Sequence, residues 1–186
     1  MTDRGNQLHA TADAQVGELI ALISLLDGAA LRRPCPGREK LGDGTVGASA
    51  RHTADNYQRI AGFVQTSERM SGAHGPAQHG GHRIPRFLRA IGHGPPSDRA
   101  EHSPAAGQHD VKYTADAIDV GAVVEHLSAS HDTFGRIAEL TDTQLDSIPP
   151  DRSFRFCDGQ RTLEQVLAGL LKHQAHQIEV LKAALA

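Results

Sequence analysis

The chain has 186 residues and a formal charge of −3 with acids and bases interspersed, which suits a single domain burying roughly 70% of its unfolded surface. That balance leaves no electrostatic footprint for nucleic acid or an anionic membrane, and 4% aromatic residues without Trp argue against a stacking platform for single strands. No run approaches the roughly 18 uninterrupted apolar residues that span a bilayer, the opening residues lack the basic start and apolar core of a secretory signal, and Cys35 and Cys157 are single and distant. The expectation is one cytoplasmic domain over residues 1–186, with no nucleic-acid or membrane partner.

Leu8, Ala12, Val16, Leu19, Ile23 and Leu26 recur at steps of three and four, which predicts a first helix from about residue 7 to 27, stopped by Gly28. A loop follows with Pro34-Cys35-Pro36-Gly37 and Gly42-Asp43-Gly44, after which Thr45 caps a second helix running to about Met70. Its apolar face is Val46, Ala50, Thr53, Tyr57, Ile60, Ala61 and Val64. Residues 71–110 are rich in Gly, Pro and His and read as a long insertion, either a lid or disordered. Within it, Pro85 to Ile91 fits a short helix ended by Gly92.

The third helix is expected over about 119–140, with Val120, Val124, Leu127, Phe134, Ile137 and Ala138 inward. After Pro149-Pro150, residues 153–157 read as an extended arm before the Asp158-Gly159 turn. Thr162-Leu163-Glu164-Gln165 fits a capping box that opens the last helix, whose Leu163, Val166, Leu167, Leu170, Leu171, Ile178 and Leu181 form a broad apolar face. Four long helices and no sheet predict an all-α four-helix bundle.

Two histidine-bearing stretches, Arg51-His52-Thr53-Ala54-Asp55-Asn56-Tyr57 and Lys172-His173-Gln174-Ala175-His176-Gln177, lie on helices that a bundle would juxtapose. Advancing about 100° per residue puts His52 at the edge of one apolar face with Asn56 nearer its centre. The same construction puts His173 at the border of the other face, Gln177 nearer its middle and His176 toward the opposite side. Imidazoles from two helices are the common way to build a metal site inside a bundle. Equally, lone helical histidines often do no more than bond to their neighbours. His131 reads as a satisfied core residue, and His9 and His126 as surface residues. His74, His79, His82, His93, His102 and His109 are scattered through the insertion, where a flexible tract can chelate a divalent metal weakly. Arg83, Arg86 and Arg89 beside Phe87 could receive an anion, although such residues are normally solvated. Cys157 has no base at a fixed spacing.

The run Thr45-Val46-Gly47 into Arg51-His52-Thr53-Ala54-Asp55-Asn56-Tyr57 resembles the helix-two signature of DinB-like proteins, a superfamily that includes YfiT-like metal-dependent hydrolases and mycothiol-dependent maleylpyruvate isomerases. Pro34-Cys35-Pro36-Gly37 is similar to the segment before that helix in the mycothiol-linked branch, and His173-Gln174-Ala175-His176-Gln177 is similar to the C-terminal helix motif. The resemblance covers most of the chain outside residues 71–110. It implies an antiparallel four-helix bundle holding one divalent metal, usually zinc, nickel or iron, with one His from helix two and two from the last. His52 matches the first ligand and His173 the second. Gln177 stands where the third His is common, so three outcomes stay open: His176 swings in, Gln177 coordinates through its carbonyl oxygen, or the metal has been lost.

A metal there would activate a thiol or water as nucleophile near neutral pH. The expected function is therefore a metal-dependent thiol transferase or hydrolase-like enzyme acting on a small-molecule substrate, with a low-molecular-weight thiol as co-reactant in the first case. Asn56 would support the ligands. The competing readings are a metal-sequestering or stress-response bundle using the insertion's histidines, and a bundle that has lost its metal. A homodimer through an apolar stripe fits the size.

Overall fold

A computed structural model describes residues 2–72, 113–149 and 156–186. Among these residues the protein is all-α: α1 (Asp3–Ser24), α2 (Gly28–Leu31), α3 (Val46–Gly72), α4 (Val120–Phe134), α5 (Asp142–Leu145) and α6 (Leu163–Leu185). Three short 3₁₀ turns, Glu39–Leu41, Ala115–Ala117 and Gly135–Glu139, complete them. The only extended pairings among the described residues are isolated bridges, Pro34 with Thr45 and Gly42 with Tyr113. No helix among them is long and apolar enough to cross a membrane.

Caps fix where the helices begin. Thr2 accepts from the Gly5 N–H at the start of α1, and Thr45 Oγ1 accepts from the Ala48 N–H at 3.2 Å. Thr162 and Gln165 form the reciprocal capping box that opens α6. Two short elements carry their own caps: Asp27 starts α2, and Thr141 with Gln144 starts α5. The first helix therefore ends at Ser24, and Gly28 begins a new turn instead of closing the old one. The third long helix is shorter than its apolar pattern predicts, because after Phe134 the chain tightens into the 3₁₀ turn that carries Ile137 and Ala138 inward. Its fully buried early residue is Val123, with Val120 and Val124 only partly covered.

α3 packs against α4 along one side and α6 along another, and α1 packs against both α4 and α6. The shared core is aliphatic, with Leu19, Ile23, Ile60, Leu127, Ile137, Leu163, Leu167 and Leu171 at its centre. Tyr57 ties three helices together: its ring meets Phe134 edge-on at 6.0 Å, and its hydroxyl donates to Gln15 Oε1 at 2.9 Å. Burial raises the Tyr57 phenol well above its ordinary value, so it remains a donor. His131 is not a core residue. It is 41% exposed and pairs with Asp13 on α1. The expected surface residues His9 and His126 are half-buried. The Pro85–Ile91 helix, Arg83, Arg86, Arg89, the insertion's six histidines and most of the 153–157 arm lie outside the described residues. Cys35 and Cys157 are buried and not joined in a disulfide.

Candidate functional site

Ser49, His52, Thr53 and Asn56 follow one another on α3 at steps of three, one and three, so they share one side of the helix. That side meets α6. Gln174 Nε2 donates to the Thr53 carbonyl at 2.9 Å, a fully buried bond between the two helices. His52 is held neutral. Burial is the largest cause lowering its pKa below 6.5, Asp55 opposes it, and positive charge on Arg38, His173 and Arg59 adds to the lowering. His173 is thus close enough across the seam to act on His52 electrostatically.

Each imidazole is paired with an amide one turn later on its own helix. Asn56 Nδ2 lies 3.0 Å from His52 Nε2, and Gln177 Nε2 lies 3.1 Å from His173 Nε2. With the amides donating, the ring proton of each histidine sits on Nδ1 and the Nε2 lone pair is the acceptor. Gln177 is 2% exposed and Gln174 1%, and both amide oxygens are buried without a partner. Ser49 Oγ, on the α3 side of the seam, is also buried and unpartnered. An unmade buried acceptor costs about 1–3 kcal/mol, and such atoms are where ordered water or ions bind. His173 and His176 are both exposed, whereas the Gln174 and Gln177 amides between and after them are buried.

The outer wall comes from Tyr113. Its ring meets His52 edge-on at 6.0 Å, and its hydroxyl donates to Asp55 Oδ2 at 2.6 Å. Asp55 Oδ1 is held by Arg51 Nε at 2.9 Å. Burial, followed by the bond to Asp55, pushes the Tyr113 phenol up to about 12. The Pro- and Gly-rich loop supplies the anchor. Asp43 N–H donates to the Tyr113 carbonyl at 3.0 Å, and Asp43 Oδ2 accepts from the Ala115 N–H at 2.7 Å. Gly42 sits at φ 153°, and a Cβ there would fall 1.9 Å from the Tyr113 carbonyl oxygen. The loop therefore both precedes α3 and fixes the residue that covers His52. A separate groove of about 280 Å³ lies between α3 and α4, lined by Gln58, Gln65, His126 and Thr133 among others, and does not include the histidine seam.

Gln177 Oε1 is the observation of fit for a metal: a buried lone-pair donor with no partner, on the amide that already touches His173. The donor set would be two neutral imidazoles and one amide oxygen, which suits ions that complete their shell with water. Among the described residues no three His, Cys, Asp or Glu side chains are grouped to hold a metal, so such a site would depend on the amide. Asp55 is engaged by Arg51 and Tyr113 and is not part of the set. Sequence reasoning did not single out Tyr113, Asp55, Arg51 or Gln174. Only the Arg51–Asp55 spacing of four residues was visible as a local signal. Comparison with family models, curated proteins and solved structures finds no match.

Proposed function

We propose that the α3–α6 seam of an antiparallel, DinB-like four-helix bundle holds one divalent metal, zinc, nickel or iron, and that the protein is a metal-dependent thiol transferase or hydrolase-like enzyme acting on a small molecule. The supporting observation is the unpartnered Gln177 oxygen beside His173, on the helix from which His173 acts electrostatically on His52. His52 and His173 would be the nitrogen ligands and Gln177 the oxygen ligand. When bound, the ion would supply the Lewis acidity that makes a thiol or water nucleophilic near neutral pH. The chain's own contribution is to hold His52 neutral, to keep the Nε2 lone pairs of both rings engaged by Asn56 and Gln177 until an ion displaces those amides, and to narrow the mouth with Tyr113. Two buried cysteines outside any disulfide suit a reduced cytoplasm, and an apolar stripe would serve a homodimer.

The test is metal analysis of protein purified without an affinity tag, set against His52→Ala, His173→Ala and Gln177→His. The expected result is one equivalent in the parent, loss in both alanine variants, and at least about tenfold tighter binding with a third imidazole. An unchanged metal content in both alanine variants overturns the proposal. A second reading, a bundle that works without metal as a partner-binding module, draws on the two amide–imidazole bonds, which satisfy both rings without any ion. It predicts no bound metal in any of the four proteins. Deleting residues 73–112 separates both from sequestration by the insertion, which alone predicts that the metal leaves with that segment.

A further inference from the structure

Tyr113 is fixed firmly at its backbone and lightly at its tip. It forms an isolated bridge with Gly42, its carbonyl accepts from the Asp43 N–H at 3.0 Å, and Asp43 Oδ2 accepts from the Ala115 N–H at 2.7 Å. Asp43 is itself tied to the start of α3, since its Oδ1 accepts from the Thr45 N–H at 3.1 Å and from the Thr45 hydroxyl at 2.6 Å. The side chain, by contrast, makes one hydrogen bond among the described residues, to Asp55 Oδ2 at 2.6 Å. Asp55 stands three residues beyond His52 on α3, so a phenol anchored on it lays its ring against the His52 imidazole, edge-on at 6.0 Å.

We propose that the Tyr113 side chain is a gate over His52, hinged on the Asp43 clamp and latched by Asp55, and that its swing controls access to that imidazole. An edge-on ring contact is weak beside a bond from a hydroxyl to a carboxylate, so the latch decides where the ring sits. The latch is reinforced: Arg51 Nε holds the other oxygen of Asp55 at 2.9 Å, and both side chains are partly buried. The phenol, pushed up to about 12, stays a donor at neutral pH. Because the clamp holds the backbone, opening is a change of rotamer and leaves the loop in place. His173, on the facing helix, is exposed. A ligand therefore reaches His173 freely and meets His52 only when the phenol leaves Asp55. The gate is made of the chain's own residues and operates with or without a metal in the seam.

The test is acylation of the full chain by diethyl pyrocarbonate after chelator treatment, above the ordinary histidine pKa, with the rate at each histidine read by peptide mass mapping. Both rings present Nε2 to an amide on their own helix, so the contrast between them reports cover. His173 should react faster than His52 in the parent. Tyr113→Phe and Asp55→Ala break the latch from its two ends, and each should raise the His52 rate by at least about tenfold while the His173 rate stays unchanged. Tyr113→Ala, which removes the ring as well, should raise it further. A His52 rate equal to that of His173 in the parent, or one unchanged by both Tyr113→Phe and Asp55→Ala, overturns the proposal. Zinc uptake by the same samples keeps the two readings apart: a shielded His52 in protein that takes up no zinc leaves the gate standing and removes the metal.

Discussion

The two sides of α3 are built from opposite materials. Toward the centre, Tyr57, Ile60 and Val64 meet Leu19, Leu127 and Phe134, and the one hydroxyl placed there has Gln15 to accept its proton. Toward α6, the seam carries Ser49, Thr53, Gln174 and Gln177 at 2% exposure or less, with three of their oxygen atoms unpartnered. Burying apolar surface stabilises by about 25 cal/mol per Å², whereas an orphaned buried oxygen works against folding. The apolar side therefore holds the fold, and the polar side is tolerated by it. Polarity that costs stability and sits beside two amide-bonded imidazoles is expected where a protein binds something.

The sharpest way to break that comparison is a cavity on the apolar side. Leu127→Ala should lower unfolding stability by about 2–5 kcal/mol, measured by urea denaturation, while the amide–imidazole pairs on α3 and α6 stay in place. A loss below about 1 kcal/mol would mean that the centre does not dominate. On the polar side the expected sign is different. Gln174→Met removes the bond to the Thr53 carbonyl, which still accepts from its own helix, and also removes the orphaned oxygen. The net effect should lie between zero and about 1 kcal/mol of added stability. A loss above about 2 kcal/mol would show that the Gln174 oxygen is satisfied in solution and that the seam is not under tension.

The smallest effect is a pH dependence. The folded His52 pKa lies below its ordinary 6.5, chiefly through burial. As the pH falls through that value the unfolded ring takes up its proton first, so stability declines until the folded ring is also protonated. In chelator-treated protein, His52→Asn should lose this part of the slope below pH about 6.5, read from midpoints at matched pH. An identical slope in both proteins would show that the ring is as well hydrated folded as unfolded.

The long helices were legible because their apolar positions recur at helical period over about four or more turns, and because Thr45 and Thr162 announce their starts. α2 and α5 were not, since four residues are too few to show a period, although Asp27 and the Thr141–Gln144 pair are local signals that mark them. Val123 outranks Val124 because the buried stripe of α4 runs Val123, Leu127, Ser130 and Phe134 at steps of four, three and four, and both Val124 and His131 lie one residue past it. His131 was misplaced for the same reason: one step around α4 takes it from the core to Asp13. Within the seam, the positions of His52, Asn56, His173 and Gln177 relative to the apolar faces could be read from spacing alone. The burial of Gln174 could not, since it depends on how closely α3 approaches. Tyr113 stands 58 residues from Asp55 in sequence, and no local pattern announces a contact of that range.

The most direct test of the central claim is anomalous X-ray diffraction from crystals of tag-free protein, with data collected at the zinc, nickel and iron edges. One peak between His52 and His173, within bonding distance of the Gln177 amide oxygen, is the predicted result. A clean map at that position, with His52 and His173 bonded only to Asn56 and Gln177, would contradict it.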